Sequence, residues 1–526
     1  MRFPVFGSRS FSALRNSTLS EVETVKRRKR DIIPVPHGTL PEPRGQDLDY
    51  VNIAYSHLVH SDWPKLDKLA SGLTPFRVKH VLLKTLKDHV LSLEFFKWVE
   101  LKNPSAITLQ TQSIILHILT KHKKFKSAET IFRRVHDMSS DPLNLPPQIF
   151  DALVYSYRIS DSSPRVFDAL FKFYANMKKF RNATDVYLLM KGYGFLPRVE
   201  SCNAYLSSLI SLKRFGIALG FFKEMQNSHI SPNVYTLNMV IAAFSKLGNL
   251  EKGFETFKEM EKMNVSPNAA SYNTLIAGYC DKGLLSVGMK LKTVMEKAGT
   301  EPNEVTYNTL INAFCKEGKL QDASKLFKEM KDMNVSPDLV TYNTLIYGYS
   351  QVRDSETAGL LFEEMASNGF QANIITYNAL IMGLCKEGKT KKAAYLVKEL
   401  DRKKLVPDAS TFSALIKGQC VRKNSERALH LYKSMKRAGF YPNEATFTPL
   451  LASLVENEDY DGAVSILKEM IERSVSPDPG TLTELCNGLC RVGKEELSIQ
   501  LCKEIEARHL MANGLNDRSN NLGTNS

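Results

Sequence analysis

Residues 304–338 read EVTYNTLINAFCKEGKLQDASKLFKEMKDMNVSPD. Thr306 reads as a helix N-cap, and Leu310, Ile311 and Phe314 recur behind it at helical spacing. Gly318 suits a C-cap and ends this first helix near Lys316. Leu320, Ala323, Leu326, Phe327 and Met330 then lay down a second apolar stripe, and Pro337 blocks its continuation. The stretch predicts a helix–turn–helix hairpin. Neither helix can bury its apolar face alone, so such hairpins must stack on neighbours.

The neighbours are present. VTYNTLI begins at Val305 and again at Val340, ITYNALI at Ile375, ASYNTLI at Ala270, STFSALI at Ser410 and ATFTPLL at Ala445. Fainter copies begin at Tyr235, Glu200, Val166 and Gly480. Residues 199–513 thus divide into nine 35-residue units without an insertion. The expected architecture is all-α, an α-solenoid of stacked hairpins. It replaces the three or four separate globules that a typical domain size of roughly 150 residues suggests.

Outside these units the pattern loosens. Residues 74–198 read as divergent N-terminal helical repeats (74–108, 109–143 and 164–198), with an inserted helix near 147–160. Residues 31–73, opening on Pro34, Pro36, Pro41 and Pro43, read as a linker and irregular N-terminal segment. Residues 1–30 hold Arg2, Arg9 and Arg15 and no acid before Glu21, the composition of a mitochondrial transit peptide. KRRKR at Lys26 to Arg30 reads alternatively as a nuclear signal. Residues 514–526, rich in Asn, Gly and Ser, predict a disordered tail.

Composition narrows the function. At 43% apolar and 24% charged the chain is an ordinary globular protein. No apolar run approaches the roughly 18–20 residues of a membrane span, so no membrane partner is expected. Cys280, Cys315, Cys385, Cys420 and Cys490 all take the twelfth place of a unit and read as small buried thiols. No His between His430 and His509 completes a zinc site with Cys486 and Cys490. The HxxH of His57 and His60 has no partner signal. Neither a zinc deaminase signature nor a phosphate loop is expected. Thirteen residues follow Asn513, fewer than a catalytic domain needs. We therefore expect no enzyme, no metal and no cofactor.

The net charge of +14 hints at a polyanion, but it is unevenly placed. Residues 1–198 carry 31 Lys and Arg against 18 Asp and Glu, whereas residues 199–513 carry 38 against 37. Any selectivity in the regular units must come from polar, nearly uncharged positions.

The unit resembles the pentatricopeptide repeat family. The resemblance rests on Tyr307 to Ile311, the turn Cys315 to Lys319, the second-helix run Ala323 to Met330, and Ser336 to Asp338. Tetratricopeptide units, at 34 residues and with a Trp/Leu-Gly/Tyr pattern, fit less well. The uniform length is similar to the P subtype of plant organellar proteins. The resemblance implies a right-handed solenoid that binds single-stranded organellar RNA, one base per unit. It further implies a monomeric chain in mitochondria, or alternatively plastids, acting with other RNA-processing factors in stabilisation, processing, splicing or translation. The competing reading is a protein–protein interaction scaffold without base reading.

By resemblance, the fifth and last residues of each unit read the base. Here they are Asn203/Asn233, Asn238/Asn268, Asn273/Asn303, Asn308/Asp338, Asn343/Asn373, Asn378/Asp408, Ser413/Asn443, Thr448/Asp478 and Thr483/Asn513. All eighteen are short polar residues, which helix interiors disfavour. The last of each also suits a turn or cap. The family's correspondence implies a site near YYYUYUAGA, with the N-terminus toward the RNA 5′ end. The divergent pair Asp168/Arg198 implies no particular base. Second-place residues Val305, Val340 and Ile375 are implied to sandwich bases, while Glu200, Ser410 and Gly480 depart from that pattern. Lys246, Lys316 and Lys386, thirteenth in their units, are implied phosphate contacts, or else cations favoured at a helix C-terminus. The series Tyr272, Tyr307, Tyr342, Tyr377, Phe412 and Phe447 reads as core.

Overall fold

A computed structural model describes residues 32–36, 38–138 and 145–508. The reading of residues 1–30, the tail 514–526 and Asn513 lie outside the described residues. The described residues form α-helices and short 3-10 turns and no strand. They fall into two compact units: residues up to Arg214 with Gly220–Ser231, and Phe215–Leu219 with Pro232 onward.

In the second unit each 35-residue repeat is one hairpin. Glu304–Lys316 and Leu320–Asp332 form the pair of the repeat 304–338. Leu339–Gln351 and Ser355–Ser367 form the next. Each first helix packs on its own second helix and on the first helix of the following repeat. The core is made by the predicted stripes: Tyr307, Leu310 and Ile311 face Ala323, Leu326 and Met330, all at most 3% exposed. Phe327 meets the ring of Tyr342 in the next repeat edge-on at 5.5 Å, and Phe362 meets Tyr377 at 5.7 Å. The fourth-place tyrosines are therefore fasteners between repeats, in keeping with their reading as core.

Two helix ends differ from expectation. The first helix starts at Glu304, and its N-cap is Asn303, not Thr306. The second helix stops at Asp332, five residues before Pro337. Asn334 takes the left-handed conformation at φ 56°, and the Val335 N–H turns back to the Met330 carbonyl at 3.0 Å. Asn tolerates this conformation, so the terminator is the residue two past the helix and Pro337 only follows it. Gly318, at φ 71°, ends the first helix as expected.

The first unit carries the looser pairs. Pro75–Lys84 and His89–Lys102 form one, Leu109–Lys121 and Phe125–Asp137 a second, Arg165–Asn176 and Phe180–Gly192 a third. An additional helix, Leu145–Tyr157, stands where an insertion was expected and packs on Leu109–Lys121. The segment 31–73 is not irregular throughout: Gln46–Val59 and Trp63–Asp67 are helical. Val51, Ala54 and Leu58, at most 1% exposed, bury one face of Gln46–Val59 and hold it as a helix.

Candidate nucleic-acid interface

The end of one repeat and the start of the next share a set of hydrogen bonds. Asn303 Oδ1 accepts the Thr306 N–H at 3.2 Å, and Thr306 Oγ1 accepts the Asn303 N–H at 3.1 Å. This is a capping box, which satisfies two of the orphan N–H groups at a helix start. The same box joins Asn233 to Thr236, Asn268 to Ser271, Asp338 to Thr341, Asn373 to Thr376 and Asp408 to Thr411. Capping is thus done by the last residue of a repeat, and the third residue of the next completes it.

The fifth residue joins the same set. Asn273 Nδ2 donates to Asn303 Oδ1 at 3.1 Å, and Thr306 Oγ1 donates to Asn273 Oδ1 at 2.7 Å. Asn308, Asp338 and Thr341 repeat this ring at 3.2 and 2.6 Å, and Asn378, Asp408 and Thr411 at 2.9 and 2.6 Å. Thr376 links Asn343 to Asn373, and Thr446 links Ser413 to Asn443. The fifth and last residues, thirty apart in sequence, are side by side in the fold. Asn238 is an exception: Ser271 turns its hydroxyl to Asn268, and Asn238 Oδ1 is buried without a partner.

The helix N–H decides which atom of the last residue turns inward. With Oδ1 committed to the cap, Asn303 keeps its amide Nδ2, a donor, and Asp338 keeps Oδ2, an acceptor. Burial pushes the Asp338 carboxyl up, but the Thr341 N–H and hydroxyl and the Asn308 amide outweigh it and hold the group below its ordinary range. Asp338 is therefore an anion at neutral pH. The Thr341-like contacts of Thr481 do the same for Asp478, which accepts its N–H at 2.9 Å. Thr448 is half-buried and Thr483 is exposed, its hydroxyl bonded to the Pro479 carbonyl at 2.8 Å.

Around these groups the surface is apolar. Val305 is 57% exposed, Val340 58% and Ile375 62%, although all three sit on helices with a buried face. Tyr235, at the same second place, is 72% exposed and belongs with them. The sequence expectation does not name it. Its place in the 35-residue period is the signal that finds it. Asn273, Asn303 and Val305 line one cleft of ≈ 420 Å³ with Lys246, Asp281 and Thr309.

The thirteenth-place lysines are not uniform. Lys246 pairs with Asp281 of the next repeat at 2.6 Å, both exposed. Lys386 donates to the side chain and carbonyl of Gln351, and burial lowers its pKa, helped by Lys417 and Arg353. Lys316 is exposed.

The remaining motifs are structural. Cys315 and Cys385 are buried, each against a glycine of the next repeat. The string Gly383 to Thr390, GLCKEGKT, does have phosphate-loop spacing, contrary to expectation. Its first glycine lies inside the helix Ile374–Lys386 with no strand before it among the described residues, so the string is a helix end rather than a phosphate cradle.

The geometry defines a class: helix-hairpin repeats that set a polar pair at the start of the first helix, beside an exposed apolar side chain at Tyr235, Val305, Val340 and Ile375. The sequence profile of the PPR repeat family matches residues 197–246, 232–281, 267–316, 302–351, 337–381 and 372–421. A PPR repeat profile matches 410–440, and a pentatricopeptide repeat domain profile matches 430–485. The chain belongs to the pentatricopeptide repeat family. It is 60% identical over 181 residues to pentatricopeptide repeat-containing protein At4g26680, mitochondrial, of Arabidopsis thaliana, covering 34% of each chain. It is 33% identical over 151 residues to pentatricopeptide repeat-containing protein At5g39710 of the same plant, covering 28% of this chain and 20% of that one. The chain spans about a third or less of the length of these relatives. Among solved structures, the maize pentatricopeptide repeat protein PPR10 aligns over 90% of this chain and 80% of its own, at 19% identity and a TM-score of 0.42.

Proposed function

We propose that the chain is a non-catalytic, P-subtype RNA-binding protein of organellar RNA metabolism. Each regular repeat takes one base of a single strand against its first helix. The observation that carries this reading is the ring of fifth, last and third residues. Where it closes, as at Asn308, Asp338 and Thr341, it holds the reading pair side by side and leaves hydrogen-bonding capacity of the last residue unused. A spare Asp338 oxygen suits the N3–H of uracil, whereas a spare Asn303 amide suits a pyrimidine edge that accepts. Ser413 is shorter than Asn and leaves room for a purine. Exposed Tyr235, Val305, Val340 and Ile375 supply apolar surface for the base faces. The name of the At4g26680 protein supports a mitochondrial location.

The full chain should prefer YYYUYUAGA over a shuffled RNA by at least about tenfold in a gel shift, since base contacts are worth roughly 1–3 kcal/mol each. Equal affinities would refute base reading and favour the scaffold alternative. Thr448→Asn should move the preference at its position from G towards U.

A further inference from the structure

The divergent repeat 164–198 keeps the reading face but not the wall opposite it. Asp168, Lys172, Phe173 and Arg198 take the places that Asn273, Ala277, Gly278 and Asn303 hold in a regular repeat. They line a cleft of ≈ 350 Å³, as their counterparts line the regular one. In the regular cleft the facing wall is the end of the preceding first helix, with Ala242, Ser245 and Lys246. Here it is Phe125, Lys126, Glu129 and Phe132 of the second helix Phe125–Asp137. The inserted helix Leu145–Tyr157 takes the place beside Leu109–Lys121 that the next first helix would fill, and Phe125–Asp137 packs on Arg165–Asn176.

That wall replaces what the repeat has lost. Glu200 stands where Val305 and its equivalents offer an apolar surface. Phe125, 38% exposed, restores a flat apolar face. The Arg198 guanidinium carbon lies over the ring, 5.9 Å from its centre. A base stacked on both sides needs about 7 Å, two van der Waals separations, so a shift of about 1 Å admits one. Aromatic rings and guanidinium planes are the two surfaces on which unpaired bases stack. Lys126 and Lys172 sit at the same cleft for the phosphate.

The groups at the reading positions are occupied. Asp168 accepts the Arg198 N–H at 2.9 Å, lies 3.5 Å from the guanidinium Nε, and is buried. The Asp168 carboxylate is taken up by Arg198 and Ser201 and offers no acceptor edge to a base, while the Arg198 guanidinium is left as a stacking plane. We infer that this cleft is a tenth nucleotide station, which stacks any base between Phe125 and Arg198 without reading its identity. The inference rests on the RNA reading proposed above, and under that polarity the extra nucleotide lies 5′ of the nine.

The test is fluorescence anisotropy with the full chain. The probes are the nine-nucleotide RNA, four ten-mers extended 5′ by each base, and a ten-mer with an abasic 5′ residue. The four ten-mers should bind alike and about fivefold or more tighter than the nine-mer, with the abasic probe lacking most of the gain. Phe125→Ala should remove the gain and keep nine-mer affinity, while Phe125→Trp should retain it. Ten-mers no tighter than a still-selective nine-mer would overturn the tenth station alone, as would a gain confined to one base. A nine-mer no better than its shuffled form would overturn both readings.

Discussion

Two networks of side-chain hydrogen bonds in this chain serve opposite ends. In the N-terminal pairs, fully buried His117 meets the Leu153 carbonyl at 3.0 Å through Nε2 and the Ser162 hydroxyl at 2.6 Å through Nδ1. Ser156 extends the cluster to Ser113 at 2.8 Å. In the regular array, Asn308, Asp338 and Thr341 also close a ring, but Asn308 and Asp338 are only half-buried and the ring keeps an oxygen and an amide proton to spare. A polar cluster with every valence used inside the core is a fastener. One at a groove with a valence left is placed to read something.

The comparison breaks most sharply with pH. The Leu153 carbonyl must receive a proton, so Nε2 carries it and Nδ1 accepts from Ser162. Burial pushes the His117 pKa down to about 4, partly countered by its bond to Leu153. The unfolded histidine, near 6.5, then binds more protons than the folded one between these values. Stability from neutral His117 is complete above about pH 6.5 and falls as pH drops towards 4, by about 3 kcal/mol at most. The Asp338 cap has the same sign but a lower window: its lowered pKa keeps its contribution intact until pH falls into the ordinary carboxylate range. Thermal melts followed by hydrogen exchange at pH 7.5 and 4.8 should show the N-terminal helices losing protection before the helix Leu339–Gln351. Equal loss in both regions would deny the fastener role to His117, and His117→Gln should flatten the N-terminal pH response.

A smaller effect probes how the repeats approach one another. Phe173 holds the tenth place in the divergent repeat and stacks on Phe132 at 5.6 Å. Glycines hold that place in several regular repeats, where a Cβ on Gly418 would lie 2.6 Å from both Cβ and Sγ of Cys385. Gly418→Ala should therefore destabilise by about 1–3 kcal/mol through overpacking, although Ala is the better helix former. Gly359, also within a helix, has nothing within 4 Å of such a Cβ, and Gly359→Ala should stabilise by about 0.5–1 kcal/mol. Denaturant midpoints that move in the same direction for both variants would contradict the close approach. The same contact explains Cys315 and Cys385, where a small side chain is what fits against a glycine; Cys490, at the same place in its repeat, is exposed.

Much of this was open to sequence reasoning because a repeated hairpin has few ways to bury its stripes. The 35-residue period leads directly to the stack, whereas the pairing of fifth and last residues is implied only by the resemblance to the family. Individual helix ends are less legible. Thr306 reads as a cap because Thr caps well, yet here Asn303 caps and Thr306 completes the box. The cap comes from the last residue of the previous repeat, whose sequence suits a cap as well as base reading, and residue type alone does not choose between Asn303 and Thr306. The helix Gln46–Val59 hides behind proline and Gly45, with no side-chain cap at its start. The Phe125 and Arg198 contact is invisible without the inserted helix, because it joins a second helix to a first across a broken period.

The smallest expected change separates capping from reading at one residue. Asp338 serves the helix with Oδ1 and offers the groove Oδ2. Asp338→Ala removes both and should cost about 1 kcal/mol of stability together with the U preference of that repeat. Asp338→Asn restores a cap of nearly equal strength but exchanges the spare acceptor for a donor. Its melting temperature should stay near that of the parent, while selection from randomised RNA loses its uracil bias at that position and gains tolerance for cytosine. If the Asp338→Asn variant kept the uracil bias, the last residue would be a cap alone and the discrimination would have to lie with Asn308. Buried His117 offers no such separation: both of its ring nitrogens are engaged by the fold.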